Sequence, residues 1–161
     1  MGNRRIPMEV RLTRRSVDRG VPRRMVHEND REDLAILLYA AYRGTIDDDG
    51  ETFADALAEI DKVFAGEYGE FLPECSFVIE EGEFLASASL ITWWEPHDAP
   101  LVAFTMTRPD ARGRGLARTL LKESMNALLE RGDDRLTLIV TDGNEPAQAF
   151  YQDLGFREIP V

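Results

Sequence analysis

The run Arg112-Gly113-Arg114-Gly115-Leu116-Ala117, with Arg118 next, sets two glycines among three arginines. It follows a turn at Arg108-Pro109-Asp110 and leads into an apolar repeat. It therefore falls between a strand end and a helix N-terminus. The first N–H groups of a helix have no intrahelical acceptor, and the macrodipole puts partial positive charge there. Glycines let the backbone curl and let a ligand come close to the main chain. The chemistry on offer is anion binding, suited to phosphate, with the arginines adding mobile charge. Glycine-rich strand–turn–helix units also arise for packing, with their arginines merely solvated. The turn alone leaves both readings open.

The elements that hold this turn follow from periodicity. Leu101, Val102, Ala103, Phe104 and Met106 read as a buried strand, and Pro109 ends the ladder. Leu116, Ala117, Leu120, Leu121, Met125, Leu128 and Leu129 recur at helical spacing, and Gly132 stops that helix. A second buried strand spans 136–140, so 101–140 is a right-handed parallel crossover. Asp142-Gly143-Asn144 then turns into a short helix with Pro146 in its first turn. Ala147, Phe150, Tyr151 and Leu154 share its inner face, Gly155 caps it, and 156–159 forms a last strand.

Upstream, Met8, Val10 and Leu12 alternate with polar residues as a half-buried strand. Residues 16–24 form a loop. Asn29-Asp30-Arg31-Glu32 has a capping pattern before a helix carrying Leu34, Leu37, Leu38 and Ala41, with Gly44 at its end. Thr52 caps a second helix with Phe53, Ala56, Leu57, Ile60 and Phe64 as its stripe. Strands at 76–80, 84–93 and 101–107 make a meander, turned at Glu81-Gly82-Glu83 and at 96–100. The fold class is mixed α/β, within a single domain.

Composition narrows the function. Net charge is -11, yet residues 1–24 carry eight arginines against Glu9 and Asp18. The remainder holds 11 basic and 28 acidic side chains. An acidic body disfavours nucleic acid and favours a cationic partner. The basic arm at 1–24 contains the first strand and belongs to the same domain. It serves as an edge strand with its arginines in water, or as a dock for an anionic partner. No apolar run could span a membrane and no signal peptide is visible, which points to the cytoplasm. Lone Cys75 is a buried thiol, and two histidines give no metal cluster. The acidic loop Asp47-Asp48-Asp49-Gly50-Glu51 fails the calcium template, with Thr45 and Ala56 at its first and last ligand positions. No Walker run exists, and Arg118 stands where a dinucleotide fingerprint needs its third glycine.

The turn resembles motif A of the GCN5-related N-acetyltransferase family, Gln/Arg-x-x-Gly-x-Gly/Ala. Downstream, Asn144, Ala147, Phe150, Tyr151, Leu154, Gly155 and Phe156 follow the closing pattern of that family in order. The match covers about 101–156; the N-terminal half agrees in element order. The resemblance implies an acetyltransferase domain over 8–161, whose fourth and fifth strands splay around the pantetheine arm. It implies acetyl-coenzyme A as co-substrate, no metal, and an amine acceptor that is a small molecule or peptide. Carried over by position, Thr105, Met106 and Thr107 contact pantetheine, and the backbone of Arg112, Gly113, Arg114, Gly115, Leu116 and Ala117, with Arg118, holds the pyrophosphate. Asn144 bonds the pantetheine arm and Tyr151 protonates the leaving thiolate.

Two features depart from that pattern. Neither 101–107 nor 136–141 contains the carboxylate that many members use as general base. A water relay, Glu74, Glu95, His97 or Asp98 would have to serve. The family's seventh strand is also hard to place, so either it is absent or a partner copy in a homodimer completes that edge. Two other functions fit the chain: a non-catalytic acyl-coenzyme A sensor, and an interaction module docking through the basic arm.

Overall fold

The computed structural model describes residues 4–160. Seven strands form one mixed sheet in the order β2-β3-β4-β5-β6-β1-β7. They are β1 (Arg5–Arg11), β2 (Arg24–Met25), β3 (Phe77–Glu81), β4 (Phe84–Trp94), β5 (Ala99–Thr107), β6 (Arg135–Thr141) and β7 (Arg157–Glu158). The helices are α1 (Arg31–Tyr42), α2 (Phe53–Phe64), α3 (Leu116–Arg131) and α4 (Glu145–Asp153). All strand pairs are antiparallel except β5 with β6.

Apolar side chains on alternate strand positions cover both faces. Leu34, Leu37, Leu38 and Ala41 of α1 and Ala56, Ile60 and Val63 of α2 pack on Val78, Leu85, Ala88, Leu90 and Met106. On the other face, Leu121, Met125 and Leu128 of α3 meet Ile6, Met8, Val10, Ile91, Val102, Leu136, Leu138 and Val140. That face also takes Phe150 and Tyr151 of α4. Hydroxyls of Ser89 and Ser124 join β4 to α3 at 3.0 Å, satisfying two buried polar groups. Among the described residues no helix is long and apolar enough to cross a membrane.

Four local expectations are corrected. First, β1 is not an edge strand: it lies between β6 and β7, with Met8 opposite both Leu138 and Glu158. The edges are the two-residue strands β2 and β7. The chain following β1 is tied down, since Arg15 exchanges main-chain bonds with the Asn126 amide at 2.8 and 2.9 Å and Arg23 pairs with Glu123 at 2.9 Å. Second, the last strand covers only Arg157–Glu158, and it supplies the sheet's seventh strand from within the chain. Third, the capping box forms two residues earlier, from His27 to Asp30, in a short 3-10 turn before α1. The His27 ring accepts from the Asn29 N–H, and Asp30 accepts from the His27 N–H at 2.7 Å. Asp30 wins that role because Arg24 clamps both its oxygens, at 2.8 and 2.9 Å. Fourth, the inner stripe of α2 is Ala56, Ile60 and Val63; Phe53 faces solvent, and Leu57 and Phe64 are half-buried.

Two long-range features shape the centre of the sheet. The β4–β5 register shifts between Leu90 and Ile91, whose partners are Phe104 and Val102, so Ala103 is an extra residue, a bulge. Meanwhile β5 and β6 pair at Leu101 and Thr137 alone, and then diverge. The Thr137 hydroxyl donates to the Pro100 carbonyl at 2.7 Å, pinning the point from which they part.

Candidate active site

The gap between the diverging strands is a cleft of about 750 Å³. Residues 101–105 of β5 and 138–141 of β6 form its walls. Asn144, Ala147 and Tyr151 close one side, and Trp93 and Trp94 close another. Gly69 also borders it, packed so close to β4 that a Cβ there would fall 1.6 Å from the Trp93 carbonyl oxygen. No larger residue fits this seam.

Tyr151 reaches the cleft from the inner face of α4, its ring edge-on to Phe156 at 5.7 Å. Part of the residue is exposed, but its hydroxyl is desolvated, and this burial pushes the phenol pKa up. The adjacent Thr105 hydroxyl acts in the opposite direction and the Asp47 charge in the same one. Thr105 Oγ1 is buried and makes no hydrogen bond of good geometry within the described residues. Asn144 caps α4, its side-chain oxygen accepting from the Ala147 N–H at 3.4 Å.

Along β5, Thr105 lines the cleft as expected, but the next two side chains do not. Met106 is 1% exposed and packs under α1, and the Thr107 hydroxyl bonds Ser87 at 2.9 Å. Alternation turns Met106 to the α1 face, so only its main chain is left for the expected contact, while Thr107 lies on the Thr105 face with its hydroxyl held by Ser87.

The glycine turn follows β5. Gly113 and Gly115 both have φ +78°, and a Cβ on either would meet nothing within 4 Å. Gly115 is the N-cap of α3, with no side-chain cap and no acidic residue in the first turn. The start of α3 therefore has open space beside its glycines and no side chain capping its amides, and with the positive end of the dipole there it is a fit to a pyrophosphate. The arginines are each engaged by a partner. Arg112 donates to the Ala41 carbonyl at 2.6 Å, Arg114 pairs with Glu81 at 3.0 Å, and Arg118 pairs with Asp153. Leu116 is buried and Ala117 half-buried.

Other residues at the cleft escape sequence reasoning. Tyr42, Glu59 and Tyr68 line it, as do Arg5 and Glu67, beside Asp47 of the acidic loop and Glu95. Asp47 accepts from the Thr141 hydroxyl at 2.8 Å, drawing the α1–α2 loop onto β6. Burial raises the Tyr42 phenol far above its ordinary range, and Tyr151 and Asp47 add to this. Burial and Glu59 together push Tyr68 up to about 12. Of the four side chains expected to replace the strand carboxylate, Glu95 alone lines the cleft. Glu74 pairs with Arg131 at 3.5 Å, and His97 stacks on Trp94 at 4.3 Å. Cys75 is buried, and desolvation pushes its thiol up to about 11, as befits an inert core residue.

Known proteins share this architecture. The family model described as "Acetyltransferase (GNAT) family" matches residues 24–156. A mycothiol acetyltransferase of Corynebacterium jeikeium is 44% identical over 50 residues, which is 31% of this chain and 14% of that protein. The chain therefore matches only a small part of the length of that relative. A GCN5-related N-acetyltransferase from Sphaerobacter thermophilus superposes with TM-score 0.71 at 17% identity, covering 99% of this chain and 50% of that one. The ribosomal-protein-S18-alanine N-acetyltransferase of Escherichia coli gives TM-score 0.65 at 21% identity, covering 86% of this chain and 79% of that one. The last two likenesses speak for the fold. With a family model spanning most of its length, and both the splayed strands and the glycine turn in place, the chain belongs to the acetyltransferase (GNAT) family.

Proposed function

We propose that this chain transfers an acetyl group from acetyl-coenzyme A to a primary amine. The observation that carries the reading is the alignment of three features along β5: the splay from β6, the bulge at Ala103, and the uncapped start of α3 beyond its C-terminal end. In this reading the backbone from Arg112 to Ala117 holds the pyrophosphate, with Arg118 at its edge. The main chain of Thr105, Met106 and Thr107 and the Asn144 amide flank the pantetheine arm. A main-chain N–H released by the bulge donates to the thioester oxygen as negative charge grows there. Tyr151 gives its proton to the departing sulfur. Its place on the cleft wall supports this role, and a phenol is protonated at neutral pH, as a donor must be.

The acceptor we propose carries positive charge besides its reacting amine, as a polyamine, an aminoglycoside or a basic peptide does. A second cavity of about 190 Å³ shares Tyr42, Glu59 and Phe104 with the cleft. Asp48, Glu51 and Asp55 border it against one cation, Arg43. A recess of predominantly one sign concentrates ligands of the other. We also read the basic arm as part of the catalytic unit, since its chain is held by Asn126 and Glu123. The test is a transfer screen over polyamines, aminoglycosides, amino acids and peptide N-termini. Acetylated product with stoichiometric thiol release is expected. Tight acetyl-coenzyme A binding with no transfer to any amine would replace this reading with a sensor.

A further inference from the structure

Acyl transfer to an amine needs the amine neutral. A primary alkylamine has a pKa near that of lysine, about 10.4, so only about one molecule in a thousand is neutral near pH 7.4. Neither β5 nor β6 supplies a carboxylate to the cleft. The carboxylates on its wall are Asp47, Glu59, Glu67 and Glu95.

We propose that Glu59, oriented by the Tyr68 hydroxyl at the junction of the two cavities, is the base that takes the proton from the acceptor's ammonium. The inference rests on the acetyl-transfer reading above. Of the four carboxylates, Glu59 alone borders both the cleft and the side cavity. It stands on α2 one turn after Ala56, at the margin of the buried stripe, and so is carried to the sheet's open seam. The Tyr68 hydroxyl donates to Glu59 Oε2. The Tyr68 ring meets the Phe104 ring edge-on at 6.3 Å, and Phe104 directly follows the bulge residue Ala103. The carboxylate is thus tied to the strand segment that would polarise the thioester. Asp47 is already bonded to Thr141 on the Tyr151 side. The other oxygen of Glu59 contacts the half-exposed Lys62 ammonium at 3.3 Å. Such a surface pair is weak, and an incoming ammonium can replace it.

The protons balance. The ammonium gives one proton to Glu59, and the neutral nitrogen attacks the thioester carbon, forming the C–N bond. Collapse of the adduct breaks the C–S bond. The thiolate takes the Tyr151 proton, and Tyr151 regains one from the amide nitrogen. Glu59 releases its proton to solvent, giving acetamide, thiol and one free proton.

The test compares two acceptors of different basicity at about pH 9, where putrescine is still largely protonated and hydrazine, a weaker base, is mostly neutral. Glu59→Gln should lower kcat/KM for putrescine by about 10²–10³-fold, the size of a general-base contribution, and leave hydrazine within about threefold of the parent. Tyr68→Phe, a positioning change, should cost roughly 10-fold with putrescine and show the same selectivity. Acetyl-coenzyme A affinity by calorimetry and the melting temperature should hold in both variants. Should Glu59→Gln fold poorly, Glu59→Asp keeps the charge and must show the same sparing of hydrazine. Equal losses with both amines would mean that Glu59 only shapes the site and would overturn the proposal, as would parent-like rates with putrescine. A parent protein that acetylates neither these two nor any other amine of the transfer screen would instead refute the transfer reading itself.

Discussion

Replacing Gly115 by Glu separates binding from folding at one position. In the structure Gly115 has φ +78° and a Cβ would meet nothing within 4 Å, so the cost to the fold is backbone strain rather than overlap. That strain is about 1–2 kcal/mol for a non-glycine residue in the left-handed region. A carboxylate at the start of α3 returns about 0.3–1 kcal/mol through the helix dipole. The net loss is about 2 kcal/mol or less, a fall in Tm of at most about 8 °C for a domain of this size. Binding should suffer far more. The carboxylate projects into the space before the first amides of α3, where the phosphates are proposed to lie. Losing one charge-assisted bond costs about 1.5–3 kcal/mol, or 10- to 150-fold in Kd, and repulsion adds to it. Calorimetric titration with acetyl-coenzyme A and a thermal melt measure the two effects. Gly50→Glu, at φ +81° and equally open, is the matched control for strain in a loop away from the turn. A well-folded Gly115→Glu variant with the parent Kd would refute phosphate binding by this turn.

Tyr151→Phe keeps the ring packed on Phe156, so Tm should hardly move while kcat falls by about 10²–10⁴-fold at unchanged coenzyme A affinity. Because burial raises the Tyr151 pKa, the alkaline loss of kcat in the parent should lie above pH 10, the ordinary phenol value, and should vanish in the Phe variant. Changing Asp47, Asp48 and Asp49 together to Asn should lower kcat/KM for a polycationic acceptor and flatten its dependence on salt. Indifference to salt in the parent would contradict a cationic acceptor. Asp30→Asn should destabilise the fold by about 1–2 kcal/mol at neutral pH, because the Asp30 side chain is only 8% exposed and two-pronged to Arg24. Burial works to raise the Asp30 pKa, but Arg24 and the His27 N–H outweigh it and hold it below 3.8. The contribution is therefore complete above that pH and disappears as pH falls through the depressed value. Urea titrations from pH 7 to 2 should show the parent losing its advantage over Asp30→Asn only in the acid range.

What the sequence by itself determined is local. The glycine turn, the α3 stripe, the Pro146 start of α4 and the inward face holding Tyr151 are each written within a few consecutive residues, where sterics and helical period act directly. The two halves of the family pattern lie on these elements, so the family was legible from them. Tertiary structure decided what depends on pairing between distant segments. The position of β1 between β6 and β7 requires Met8 to meet Leu138 and Glu158. Alternation marks a strand but not its neighbours. The bulge at Ala103 is a surplus of one residue between two ladders, invisible in either strand alone. The arginines of the turn look free in sequence, yet Ala41, Glu81 and Asp153 engage them from elsewhere in the fold. Glu59 and Tyr68 belong to no motif of the sequence, and only the splay of β5 from β6 opens a cleft beside them. Local conformation is set by short-range sterics and period, whereas a site is set by which remote surfaces the burial of apolar area brings together.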